Sequence, residues 1–233
     1  MAMIATNIQQ VRARIEAACL GAGRPVQSVT LLAVSKTFGA SAVREAHAAG
    51  LARFGENQVQ EALAKMAALA DLRKRIEWHL IGPLQSNKTR AAAEAFDWVH
   101  ALDRLKVAER LSAQRPDVLA PLQVCVQVNV GGEATKSGVA PRDAPALARA
   151  VAALPRLSLR GLMAIPEPAA TLDAQRLPHR RLRELFETLR GEGLALDTLS
   201  IGMSGDLEAA VLEGATIVRI GSAIFGPRPR TGG

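Results

Sequence analysis

The sequence predicts a closed (β/α)8 barrel, a TIM-type α/β fold, as a single domain over residues 1–233 with one extra helix in front. Three observations carry that prediction. Apolar runs of strand length alternate with helical periodicity about eight times. Each gap between runs holds a helix, as a crossover between parallel strands requires. The 233 residues at 48% hydrophobic content suit one sizeable core and leave nothing over for a second domain. A doubly wound open sheet is the alternative, but it usually needs fewer units.

The elements follow in order. Residues 7–20 place Ile8, Val11, Ile15 and Ala18 at helical spacing, and the Gly-Ala-Gly-Arg-Pro run at 21–25 stops that helix. The first strand, 29–36, is apolar and ends in Lys36. Ser41 can cap a helix reaching Ala49, which Gly50 ends. A brief strand at 53–57 runs into a helix at 58–69. The third strand, 76–81, ends in Gly82-Pro83, and Ser86 with Asn87 opens a helix at 88–95. The fourth strand is 98–102, with Asp103 capping the next helix. The fifth, 122–130, sets Val124, Val126, Val128 and Val130 on one face and breaks at Gly131-Gly132. A helix at 143–153, a strand at 157–165 closed by Pro166 and Pro168, and a basic amphipathic helix from about 175 to 189 come next. The seventh strand is 198–203, after which Ser204 caps a helix to Leu212. The eighth is 216–225, and the tail at 226–233 reads as flexible.

Composition narrows the function classes. The net charge of +7 invites a nucleic-acid partner. The basic residues are scattered, however, and 3% aromatics with no tyrosine supply few stacking platforms. No apolar run spans a bilayer, and the N-terminus lacks a secretory h-region. Cys19 and Cys125 stand far apart among apolar neighbours, as buried thiols of a reducing compartment do. The expectation is a cytoplasmic protein with no membrane partner and no metal.

Function in a barrel gathers at the carboxyl ends of the strands. Lys36 stands at such an end, as do Asn57, His79, Asn129, Met163, Ser204 and Ser222. A pocketed lysine whose pKa burial lowers exposes the neutral amine that attacks an aldehyde. The bland alternative is a side chain that simply reaches past the strand into water. Phosphate sites in this fold often use the loops after strands seven and eight. Here those loops are Met203-Ser204-Gly205-Asp206 and Gly221-Ser222-Ala223, each with a hydroxyl and a glycine. Ordinary helix capping by Ser204, with Asp206 and Glu208 satisfying the dipole, is the competing reading. Arg219 alternates with Val218 and Ile220, so it faces the barrel interior if they face the helices. There it needs an acceptor, either a carboxylate from another strand or a ligand ring nitrogen. A lysine for an aldehyde, a phosphate cup and an inward cation on strands one, seven and eight together describe pyridoxal 5′-phosphate.

The motifs Ala33-Val34-Ser35-Lys36-Thr37, Phe54-Gly55-Glu56-Asn57, Trp78-His79-Leu80-Ile81-Gly82-Pro83, Gly161-Leu162-Met163-Ala164-Ile165-Pro166, Ile201-Gly202-Met203-Ser204 and Val218-Arg219-Ile220-Gly221 resemble, in order and over nearly the whole chain, the pyridoxal phosphate homeostasis protein family. The resemblance implies a barrel like the N-terminal domain of alanine racemase. It implies that Lys36 carries the cofactor as a Schiff base and that Ser204 holds the phosphate with the backbone of Gly221 and Ser222. It further implies that Arg219 faces the pyridine nitrogen and Asn57 lines the ring. Family members are regarded as carriers, buffers or regulators of the cofactor, with cofactor-dependent apoenzymes as partners. Catalysis is disfavoured on physical grounds too. An arginine at the ring nitrogen opposes its protonation and weakens the electron sink. Racemisation also needs a second acid/base, which racemases of this fold take from a tyrosine on a separate domain, and this chain has no tyrosine. A racemase-like enzyme is the alternative function, and a monomer is the expected state.

Overall fold

The computed structural model describes residues 2–131 and 137–227. Eight parallel strands close in sequence order, each hydrogen-bonded to the next and β8 back to β1. They are β1 (Thr30–Val34), β2 (Arg53–Glu56), β3 (Glu77–Leu80), β4 (Trp98–Leu102), β5 (Leu122–Gln127), β6 (Leu157–Met163), β7 (Thr198–Ser200) and β8 (Ile217–Ile220). Around them run α1 (Ala2–Gly21), α2 (Ala40–Ala48), α3 (Val59–Ala68), α4 (Thr89–Ala95), α5 (Leu105–Gln114), α6 (Ala144–Ala152), α7 (Leu172–Gly191), α8 (Leu207–Leu212) and α9 (Ser222–Phe225). The barrel is therefore the predicted one, and an open sheet is excluded by the β1–β8 pairing.

Strand alternation divides the core in two. Ala33, Phe54, Trp78, Leu80, Val124, Val126 and Val218 face outward into a large core shared with the helices. Leu32, Val34, Ile81, Trp98, Cys125, Met163 and Ile217 form a separate cluster inside the barrel. At about 25 cal/mol per Å² of apolar area, both layers contribute to stability, but only the inner one supports the floor of the upper cavity.

Several local expectations need correcting. The eighth strand stops at Ile220, and residues 222–225 form the short helix α9. Their run Ala-Ile-Phe is apolar enough to continue a strand, but Gly221 turns the chain. The seventh strand stops at Ser200. Ser204 does not cap α8: Asp206 is the N-cap position, and its carboxylate accepts from Met203 N at 2.6 Å. Asp103 does not cap α5, whose N-cap position is Arg104, and α2 begins at Ala40 after Gly39. Helix α7 starts earlier than expected because the Thr171 hydroxyl accepts from Ala174 N. The expected break at Gly132 and the tail beyond Pro227 lie outside the described residues.

Candidate functional site

A cavity of about 480 Å³ opens at the carboxyl ends of the strands, within the roughly 300–1,000 Å³ of small-molecule sites. Its walls include Lys36, Asn57, Ser204, Arg219, Gly221 and Ser222, all six residues singled out from the sequence. Those residues belong to segments that follow or form β1, β2, β7 and β8, with β1 and β7 both paired to β8. Asn129, His79 and Met163 do not line it. His79 is fully buried, engaged by Glu77 and His100, and Met163 is packed within the barrel. Met203 of the predicted phosphate loop lines it as well, with Phe38, Ile81 and Gln127, which the sequence reading did not single out.

Lys36 sits two residues past β1, half-buried, in a turn closed by Phe38 N–H to Ser35 O at 3.1 Å. The next residue, Thr37, has φ +70°, a region normally left to glycine at this position of a turn. That conformation costs about 1–3 kcal/mol for a β-branched residue and must be held from outside. Glu61 holds it, accepting from Thr37 N at 2.6 Å. Lys65 completes the support. Its ammonium donates to Ser35 O at 2.7 Å and to both Glu56 oxygens at 2.7 and 2.9 Å, and it pairs with Glu61 at 2.8 Å. The Ser35 hydroxyl donates to Glu56 at 2.6 Å. Burial pushes the Glu56 carboxyl above its ordinary range, against the opposing pull of Lys65 and Ser35. Lys65 is thus a buried structural cation and not a candidate nucleophile.

Asn57 is placed by close packing of the β2 and β3 ends. A side chain at Gly82 would put its Cβ 2.3 Å from Asn57 O, so only glycine lets the two loops meet there.

The β7 and β8 loops meet through hydroxyls. Ser222 Oγ donates to Ser204 Oγ at 3.3 Å, and Ala223 N donates to the same oxygen at 3.4 Å. Helix α1 braces both loops from outside: Arg14 donates to Ser204 O at 3.1 Å, and Asn7 donates to Ile224 O at 2.8 Å. Arg14 also grips Glu208 at 2.7 and 2.8 Å. Asp206 is turned to Met203 N and to His179 Nε2, at 2.9 Å from the latter. Burial alone would raise the Asp206 carboxyl, but these contacts outweigh it and hold it below its usual range. Neither carboxylate that competes for the α8 N-terminus faces the cavity.

Arg219 points into the barrel as the alternation requires, and it is almost fully buried. Within the protein its acceptors are oxygens at the ends of β6 and β7, and not the carboxylate from another strand that was one of the two alternatives read from the sequence. Nη1 donates to Ser200 O and, at 2.8 Å, to Ser200 Oγ, and Nη2 donates to Ala164 O at 2.8 Å. Burial lowers its pKa to about 10, with Asp206 opposing, so it stays a cation at neutral pH. Among the described residues the cavity wall carries Lys36 and Arg219 and no carboxylate, imidazole or thiol. Cys125 lies within the barrel, its thiol pushed up to about 12 by burial. Such a wall favours an anionic ligand that presents an electrophile to the amine. Pyridoxal 5′-phosphate fits that donor set: hydroxyls at one end, a buried cation on the floor, one amine on the side, and apolar Val34, Ile81 and Phe38 against a ring.

A family model for the alanine racemase N-terminal domain matches residues 2–229. A pyridoxal phosphate homeostasis protein of Pseudomonas aeruginosa is 64% identical over 228 residues, 98% of this chain and 97% of that one. One from Escherichia coli is 51% identical over 226 residues, 97% of each. The solved structure of PipY from Synechococcus elongatus with pyridoxal phosphate bound superposes with a TM-score of 0.83 at 38% identity, covering 96% of this chain and all of that one.

Proposed function

The chain belongs to the alanine racemase N-terminal domain family and, within it, to the pyridoxal phosphate homeostasis proteins, and from that premise we propose that it is a single-domain pyridoxal 5′-phosphate carrier. In this reading Lys36 holds the aldehyde as a Schiff base, and Ser204 with the Gly221 and Ser222 backbone holds the phosphate. Arg219 faces the pyridine nitrogen and Asn57 lines the ring. The observation that carries the reading is the convergence of one amine, one buried guanidinium and the Ser204 and Ser222 hydroxyls on a single cavity whose described wall has no carboxylate. The bound group would supply a reactive aldehyde, and the protein limits its free concentration and passes it to apoenzymes.

The wall also argues for holding over turnover. Arg219 is a cation where a ring nitrogen would need a proton, and like charges repel. No described wall residue other than Lys36 has the side chain of an ordinary general acid or base. Free, buried Cys19 and Cys125 suit the reducing cytoplasm, and no described helix is long and apolar enough to cross a membrane. A monomer is part of the proposal.

Borohydride reduction of the loaded protein followed by peptide mapping tests it. The adduct is expected on Lys36, and Lys36→Ala should lose it while unfolding at the same denaturant concentration. An adduct on Lys88 or Lys65 would overturn the assignment. Amino-acid racemisation by the loaded protein, lost in Lys36→Ala, would favour the enzymatic alternative.

A further inference from the structure

Beneath Arg219 a line of hydrogen bonds runs down through the barrel. Ser200 Oγ, which accepts from Arg219, lies 2.8 Å from His100 Nδ1. His100 Nε2 lies 2.9 Å from His79 Nδ1, and His79 Nε2 lies 2.8 Å from Glu77 Oε1. Glu77 also accepts from Arg53 at 3.1 Å at the lower rim, where both side chains reach solvent. Ser200, His100 and His79 are fully buried.

The two ends dictate every donor in between. A guanidinium can only donate, and an ionised carboxylate can only accept. Glu77 stays ionised because its hydrogen bond to His79 holds its carboxyl below the ordinary range. His79 therefore donates through Nε2–H and accepts at Nδ1. His100 donates through Nε2–H and accepts at Nδ1, and Ser200 spends its one proton on His100. Both Ser200 lone pairs are then left for Arg219. No group is unsatisfied, and both imidazoles are neutral, each in a single tautomer. Trp98 stacks on His79 at 5.3 Å and 11°, which fixes the ring plane.

We propose that Ser200, His100, His79 and Glu77 are positioning residues for Arg219, presenting the guanidinium to the cavity through a hydrogen-bond line of fixed polarity that a second proton on His79 reverses. A second proton on His79 puts an N–H on Nδ1, which forces His100 to accept there and to donate through Nδ1 to Ser200. Ser200 then accepts from both His100 and Arg219, so its lone pairs no longer serve Arg219 alone. The charged groups facing His79 are Glu77 on its own strand, Arg53 on β2 and Asp97 just before β4, with His100 as its neutral neighbour. His100 faces His79 and, from β8, Arg219. Arg160 of β6 lies over Trp98 and is paired with Asp197, while Cys125 of β5 stays a thiol.

The ligand arm of the test rests on the proposed function, and the unloaded arm does not. In unloaded, histidine-¹⁵N-labelled protein near neutral pH, long-range ¹H–¹⁵N spectra should show both His79 and His100 as Nε2–H tautomers. Glu77→Ala, at a half-exposed position, should shift the signals of His100, which Glu77 does not touch, and Glu77→Gln, which keeps an acceptor oxygen, should restore them. His100 found as the Nδ1–H tautomer, or unmoved by Glu77→Ala, would overturn the proposal. In the loaded arm, the midpoint of the cofactor's absorbance change with pH should move by at least about half a unit in Glu77→Ala and return in Glu77→Gln. An identical pH response in all three proteins would also overturn it. Trapping on Lys36 in the native protein separates the two ideas: if none occurs, the carrier reading fails and the unloaded spectra still decide this one.

Discussion

Behind Lys36, Glu56 and Lys65 form a charged pair on the helix-facing side of β1 and β2, sealed by Ser35 and Glu61. Beneath Arg219, inside the barrel, charge stands only at the two ends of the line, and everything between is neutral. Both assemblies are buried, and each supports a basic residue of the cavity wall, Lys36 or Arg219. They differ in what they hold. The first anchors backbone, fixing Ser35 O and the N–H of a residue at positive φ. The second aims a side chain. The turn is held by fixed charged anchors, whereas the guanidinium rests on neutral hydroxyl and imidazole partners. The low-dielectric interior makes each arrangement costly to leave half-satisfied.

The comparison breaks most visibly at the charged pair. Lys65→Met leaves Glu56 buried without its cation and should cost about 3–5 kcal/mol in equilibrium urea unfolding. Replacing both as Glu56→Gln with Lys65→Met should recover most of that loss. A single-variant cost below about 1 kcal/mol would remove the distinction drawn here.

A smaller effect separates the assemblies by pH. Burial holds the His79 pKa below 6.5 and the His100 pKa well below it, while the unfolded chain titrates near 6.5. Below that pH the unfolded state binds more protons, so stability present above 6.5 is lost as pH falls. The slope should approach about 1.4 kcal/mol per pH unit for each histidine. His100→Asn should remove about half of it, and the Lys65 variants should keep it. Unfolding midpoints between about pH 8 and pH 5 give the measurement.

The smallest effect sharpens the comparison at the outer brace. Arg14 and Glu208 are partly exposed, so Arg14→Ala should cost less than about 1 kcal/mol. It also frees Ser204 O, so cofactor release measured by stopped-flow absorbance should quicken several-fold. A large stability loss with unchanged release would mean that Arg14 serves the fold and not the loop.

What the sequence disclosed follows from range. The alternation of Val124 and Val126, and the Val218-Arg219-Ile220 pattern, report which face is inward because side-chain direction is local. The cavity residues were legible because strand ends of a barrel share one rim. The extent of the eighth strand was not, since Ala223, Ile224 and Phe225 suit a strand or a helix equally. The burial of Lys65 was not legible, because its partners at Ser35 and Glu56 lie 30 and 9 residues away. His79 was placed at the rim by its position near a strand end, although it is held by His100 of the next strand. Nothing local reveals such a partner.

The brace by α1 carries an implication for synthesis. Asn7 and Ile224 are separated by 217 residues, and Arg14 and Ser204 by 190. During translation α1 finds these seats only after the segments following β7 and β8 have emerged. The cavity is therefore complete only once the chain through α9 has left the ribosome.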